Sequence, residues 1–168
     1  LQRALEGQTK GAPGPRIVQA VQILLLRLRE SRRLLGPARG EDELVAGAGC
    51  LGAGVDSIEL RRIGTIRRRE PLVVPLIVLA DLISRGAPAE TAVRVTLDML
   101  GVGLGDRQLM DLRAGVQEDL RSGILPADAV LTRFRALSLP RAVPVATPVA
   151  PGTSRDRTTG QPNSRPGG

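Results

Sequence analysis

Histidine, tryptophan and tyrosine are absent from this 168-residue chain, and phenylalanine, cysteine and lysine occur once each, as Phe134, Cys50 and Lys10. Each absence excludes something. Without histidine, the commonest general base and triad member is missing, and metal sites built on His and Cys are ruled out. With one cysteine no intrachain disulfide can form, and cysteine usage says nothing about redox compartment. With one aromatic ring the core must be packed by Leu, Val, Ile and Ala. Such cores suit helical arrays better than β-sandwiches, whose strands favour aromatic and β-branched residues. Long hydrophobic runs are lacking too. The uncharged stretches Leu44–Val55 and Pro71–Ala80 fall short of the ~20 apolar residues of a spanning helix. No signal peptide is visible. The chain opens at Leu1 instead of methionine, which fits either a processed product or a trimmed chain.

What the chain does contain is a repeated phrase. An apolar run with helical spacing stops at a glycine, a few turn residues follow, and a second such run begins. The glycines are Gly11, Gly54, Gly86 and Gly123, and they are predicted to be helix C-caps. Their unequal spacing falls in the range of two-helix units and disfavours a uniform repeat. A helix is predicted from about Pro15 to Leu35, with Ile17, Val21, Leu24, Leu28 and Leu35 along one stripe and Val18 and Leu25 widening it. Gly36-Pro37 ends it. Glu41, Asp42 and Glu43 open the next helix at the positive end of its dipole. Gly47, Gly49 and Gly52 either make that helix marginal, at about 1 kcal/mol each relative to Ala, or let a neighbour approach closely. Asp56 is expected to cap a short helix, with Glu59 completing a capping box and Ile58 and Ile63 buried.

The stretch PLVVPLIVLADLISRG can pass for a buried strand. Pro75 argues against a central strand and fits the first turn of a helix running to Gly86. Pro88 starts the next helix, GVGLG breaks the chain, Asp106 caps a helix ending at Gly123, and Pro126 starts the last. The fold class is therefore all-α, seven or eight short helices in stacked hairpins. Residues 1–140 form the helical-hairpin domain. Residues 141–168, rich in Pro, Arg, Gly and Thr, are expected to be a disordered tail.

The net charge is +7, of which residues 1–140 carry +4 and the tail, with Arg141, Arg155, Arg157 and Arg165, carries +3. Arg61, Arg62, Arg67, Arg68 and Arg69 form one charge cluster, the candidate anion-binding residues. No aromatic side chains interleave them, and Glu59 and Glu70 flank them, so a solvated, partly salt-bridged loop is the competing interpretation. The acids of the second half, Asp81, Glu90, Asp98, Asp106, Asp111, Glu118 and Asp119, fall mostly at caps or on polar faces. Gly101, Gly103 and Gly105 resemble part of a phosphate loop but lack its strand and its Lys-Ser/Thr, and read as an interhelical turn. Cys50, in AGAGCLGAG, reads as a small buried residue, not as a lipid-attachment site. Catalytic, cofactor and metal residues are all predicted to be none.

The phrases ALEGQTKGAPGPRIVQAV, LRESRRLLG with EDELVAG, PLIVLADLISRGAPAETA and LRAGVQEDLRSGILPADA resemble a family of uncharacterised bacterial proteins from GC-rich genomes. The resemblance covers residues 1–138. It implies a helical, exported protein, periplasmic or secreted in preference to cytoplasmic, and carries over no functional residue. The leading expectation is a non-catalytic interaction or scaffold module with an unidentified protein partner. The alternative is a nucleic-acid or anionic-surface binder using Arg61–Arg69 and the basic tail. A third, an enzyme with a carboxylate site, needs a pocket with two acids held well apart from any arginine.

Overall fold

The computed structural model describes residues 14–138. The helix and stop expected at residues 1–11, the domain end at Pro140 and the tail lie outside the described residues. Within them the chain is all-α, with seven helices and no strand: α1 (Gly14–Leu35), α2 (Glu41–Ala53), α3 (Ser57–Ile66), α4 (Val73–Ser84), α5 (Ala89–Gly101), α6 (Asp106–Arg121) and α7 (Pro126–Ser138). No described helix is long and apolar enough to cross a membrane.

Three hairpins, α1/α2, α4/α5 and α6/α7, stack through α2 on α4, α4 on α6 and α5 on α7. The short α3 bridges α1, α2 and α5. α4 lies at the centre of the stack, which explains its strand-like sequence: a helix buried on several sides needs no polar stripe. Leu76, Val78, Leu79 and Leu82 are fully buried on it, each leucine contributing about 1.5–3 kcal/mol. Pro75 occupies its third position, where no intrahelical N–H bond is lost. Leu60, Ile63, Leu72, Met99, Leu109, Leu112 and Val116 complete an aliphatic core.

The glycine stops are left-handed C-caps. Gly54, Gly86 and Gly123 have φ of 100°, 96° and 82°, and Gly103 joins them at 76°. After each, the next N–H reaches back to close the helix: Val55 to Cys50 O, Ala87 to Leu82 O, Leu104 to Met99 O and Ile124 to Asp119 O. This is the Schellman bond. Replacing Gly86 with valine puts a β-branched residue at positive φ, and should cost about 1–2 kcal/mol. An unchanged urea midpoint would show that the turn tolerates it.

Four local expectations are corrected. Asp56 does cap α3, accepting the Ile58 N–H at 2.7 Å, but Glu59 does not return the bond and sits 4.0 Å from Arg62. Ile58 is 75 % exposed, and Leu60 takes the buried position with Ile63, because residues three apart share a face. Asp106 is the first residue of α6 and not its cap; the cap is Gly105, whose N–H is accepted by Gln108 at 3.1 Å. Val18 and Leu25 do not widen the buried stripe of α1. They are 57 % and 47 % exposed, because α1 packs on α2 and α3 along one side and only Ser31, Leu34 and Leu35, near its C-terminus, are buried.

Of the three glycines in α2, Gly47 is where the neighbour comes close. A Cβ there would overlap Ser31 Oγ and stand 2.9 Å from Leu35 Cδ1, both on α1. Gly52 faces the tip of the flexible Arg27 at 2.9 Å, and Gly49 faces nothing within 4 Å.

Candidate functional site

The five candidate arginines do not act as one group. Arg61 and Arg62 lie exposed on α3, and Arg61 adds to the effect of the Arg33 guanidinium in holding the Glu30 carboxyl on α1 below its ordinary range. Arg67, the C-cap of α3, turns inward and is 8 % exposed. It donates to Asp106 Oδ1 at 2.5 Å and to Pro71 O at 3.1 Å, and pairs with Glu70 at 3.2 Å. Arg67 is therefore a structural strut between the α3–α4 turn and α6. Only Arg61, Arg68 and Arg69 of the five are exposed and without an ion pair among the described residues.

The residue that shapes this turn is Arg39, which no sequence motif singled out. From the α1–α2 turn it donates Nη1 to Glu43 Oε1 at 2.9 Å and to Glu70 O at 2.7 Å. Its Nη2 donates to the carbonyls of Arg67 at 2.6 Å, Arg68 at 3.2 Å and Gly64 at 3.4 Å. A planar guanidinium with several fixed donors suits carbonyls left over at a helix end. Glu43 completes the knot, accepting the N–H groups of Gly40 and Leu72, each at 2.9 Å. The one sequence signal was the i,i+4 spacing of Arg39 and Glu43.

Burial pushes the Glu43 carboxyl up, but the Leu72 and Gly40 N–H donors and Arg39 outweigh it and hold it below the ordinary glutamate value of 4.5. A folded-state pKa below the unfolded one contributes stability that is complete above the unfolded value and lost as pH falls through the folded one. Urea stability should therefore decline below about pH 4.5. The decline should be shallower in Glu43→Gln; identical slopes would remove Glu43 from the acid response.

A cleft of about 460 Å³ lies between the start of α3 and α5. Val55, Val93 and Leu97 give it an apolar wall, and Asp56, Glu59, Glu90 and Asp98 share it with Arg62 and Arg94. Of these acids Glu59 stands 4.0 Å from Arg62, and Arg94 lines the same cleft as the others. Elsewhere Asp81 on α4 is gripped by Arg85 at 2.7 Å and Arg113 of α6 at 2.9 Å. Asp119 of α6 is held by Arg133 of α7 at 2.8 and 2.5 Å. These pairs tie neighbouring helices together. Cys50 is fully buried, its thiol pushed up to about 12 by burial and placed 3.1 Å from Leu76 O. Such a thiol is unreactive. Among the described residues no three acidic or cysteine side chains converge as a metal site would need.

A further surface feature is the solvent side of α1; exposed apolar residues also occur elsewhere, as at Ile58 and at Ile124 and Leu125. Val18, Gln22, Leu25, Arg29 and Arg32 follow one another at alternating steps of four and three and are all exposed, so they form one outward line. Leu26, 62 % exposed, lies beside it with Arg33. The earlier part of this face carries Val18, Leu25 and Leu26 around Gln22, and the later part is arginine. No family model matches the sequence, and no curated protein or solved structure is significantly similar to it.

Proposed function

We propose that the chain is a non-catalytic, exported helical interaction module whose docking element is α1. The observation that carries this reading is the outward line of α1, on which Leu25 and Leu26 stand 47 % and 62 % exposed beside a run of arginines. Isolated surface leucines need no explanation, but adjacent apolar residues on a projecting helix are the mark of a contact surface. Asp81, Asp106 and Asp119 are held by arginines, which agrees with a binding role. Export is supported by the resemblance of the phrases in residues 1–138 alone. The test is site-specific photo-crosslinking in cells. A benzophenone side chain at position 25 should give an adduct, with protein or with lipid, and one at Met110, also exposed at 43 %, should not. Equal labelling at both positions, or none at 25, would refute α1 as the docking element.

A second reading keeps the arginine cluster as an anion site. Its support is the pinned turn after α3, where Arg68 and Arg69 border a hollow of about 330 Å³. Glu43 and Glu70 line the same hollow, which weakens it for a polyanion. Affinity for nucleic acid through these residues must fall steeply with salt; binding that ignores salt would exclude them.

A further inference from the structure

We infer that the outer face of α1 seats on an anionic lipid surface, the helix lying along the membrane plane. This rests on the reading of α1 as the docking element. Val18, Leu25 and Leu26 precede Arg29, Arg32 and Arg33 along it, with Gln22 among the apolar three, all exposed and on adjoining lines. From Val18 to Arg33 this face runs about 22 Å along the axis, at 1.5 Å per residue. Set on a membrane surface, such a face can put its apolar side chains into the boundary between headgroups and acyl chains while its arginines reach back to phosphates. The helix is too polar to cross a bilayer, so lying on one is the arrangement open to it.

Charge complementarity selects the lipid over a second copy and over nucleic acid. Glu30, the one acid in this stretch of α1, is held by Arg33 at 2.6 Å, leaving Arg29 and Arg32 without an ion pair among the described residues. Arg61 of α3 stands beside the same Glu30 and extends the positive field across the neighbouring helix. A second copy of this face brings either arginine against arginine or arginine against bare leucine, with no carboxylate to receive it; buried unpaired charge opposes both. A nucleic-acid backbone satisfies the arginines but leaves Val18, Leu25 and Leu26 unused. An anionic bilayer accepts both halves together.

The test is co-sedimentation of the full chain with vesicles of phosphatidylcholine, with and without phosphatidylglycerol. Binding should be at least about tenfold tighter to the anionic vesicles and should weaken with salt. Leu25→Glu with Leu26→Glu should abolish it, and Arg29→Gln with Arg32→Gln should weaken it about tenfold. Circular dichroism melts of both variants should match the parent, because all four side chains are exposed. Equal binding to neutral vesicles, binding indifferent to the leucine pair, or tighter binding to duplex DNA overturns the lipid assignment. No vesicle binding, together with a dimer that the leucine pair dissolves in light scattering, also overturns it but leaves α1 as a docking element. No vesicle binding and no crosslink at position 25 overturns both.

Discussion

Replacing Arg39 with methionine is expected to cost about 3 kcal/mol, a large share of the ~5–15 kcal/mol that holds a domain of this size together. The reasoning starts from burial. The side chains of Arg39 and Glu43 are 11 % and 13 % exposed, so solvent screens their interaction only weakly. Removing the guanidinium leaves a nearly buried carboxylate without its cation and takes the donor away from four backbone carbonyls between Gly64 and Glu70. A charge stranded in this way costs more than the pair contributes as a pair. Lysine should recover less than about half the loss, because one ammonium cannot reach carbonyls spread around a planar fork. Adding Glu43→Gln to Arg39→Met should recover part of it, since the stranded charge is then gone. Urea unfolding reads all three variants. A loss under about 1 kcal/mol for Arg39→Met would mean that the turn is held by something else.

The second large effect lies at the crossing of α1 and α2, and its sign is the informative part. In an open helix, glycine to alanine stabilises by up to about 1 kcal/mol, and Gly49→Ala should do so because nothing lies within 4 Å of the new methyl. Gly47→Ala, two residues away, should destabilise by about 1–3 kcal/mol through overpacking, because its methyl falls on Ser31 Oγ and near Leu35. Ser31 Oγ is buried with no hydrogen-bond partner, so Ser31→Ala alone should be neutral or slightly stabilising. In the Gly47→Ala background it should recover much of the loss, since the remaining close atom, Leu35 Cδ1, is a movable side-chain end. If Gly47→Ala and Gly49→Ala shift the melting temperature in the same direction, the close approach is wrong.

The helical stops were legible in the sequence because a left-handed cap is a local demand: only the glycine's own backbone decides it. Cys50 was legible for a similar reason, a small side chain among small side chains. Pro75 let α4 be read as a helix where hydrophobicity alone could not. The misreadings share a cause of the opposite kind. Ile58 and Leu60 are equally apolar, and α3, at ten residues, is too short for its period to choose between them. Val18 and Leu25 have the character of core residues, but sequence says which side chains favour burial and not whether a neighbour is there to bury them. Arg39 was invisible because its carbonyl partners lie 25 to 31 residues away. Arg67 was read with its neighbours as a charge run, and only Asp106, 39 residues on, reveals that it points the other way.

The central place of α4 has a kinetic consequence. Its amides are covered by α2, α5 and α6, which belong to all three hairpins, so no single hairpin can detach without baring one of its sides. Hydrogen exchange from the middle of α4 should therefore require opening of the whole domain, whereas the first half of α1, touched along one side only, should exchange through local fraying. Among the described residues the two lie at opposite ends of the scale of protection. The helix proposed to meet a partner is the one that can rearrange at least cost to the rest.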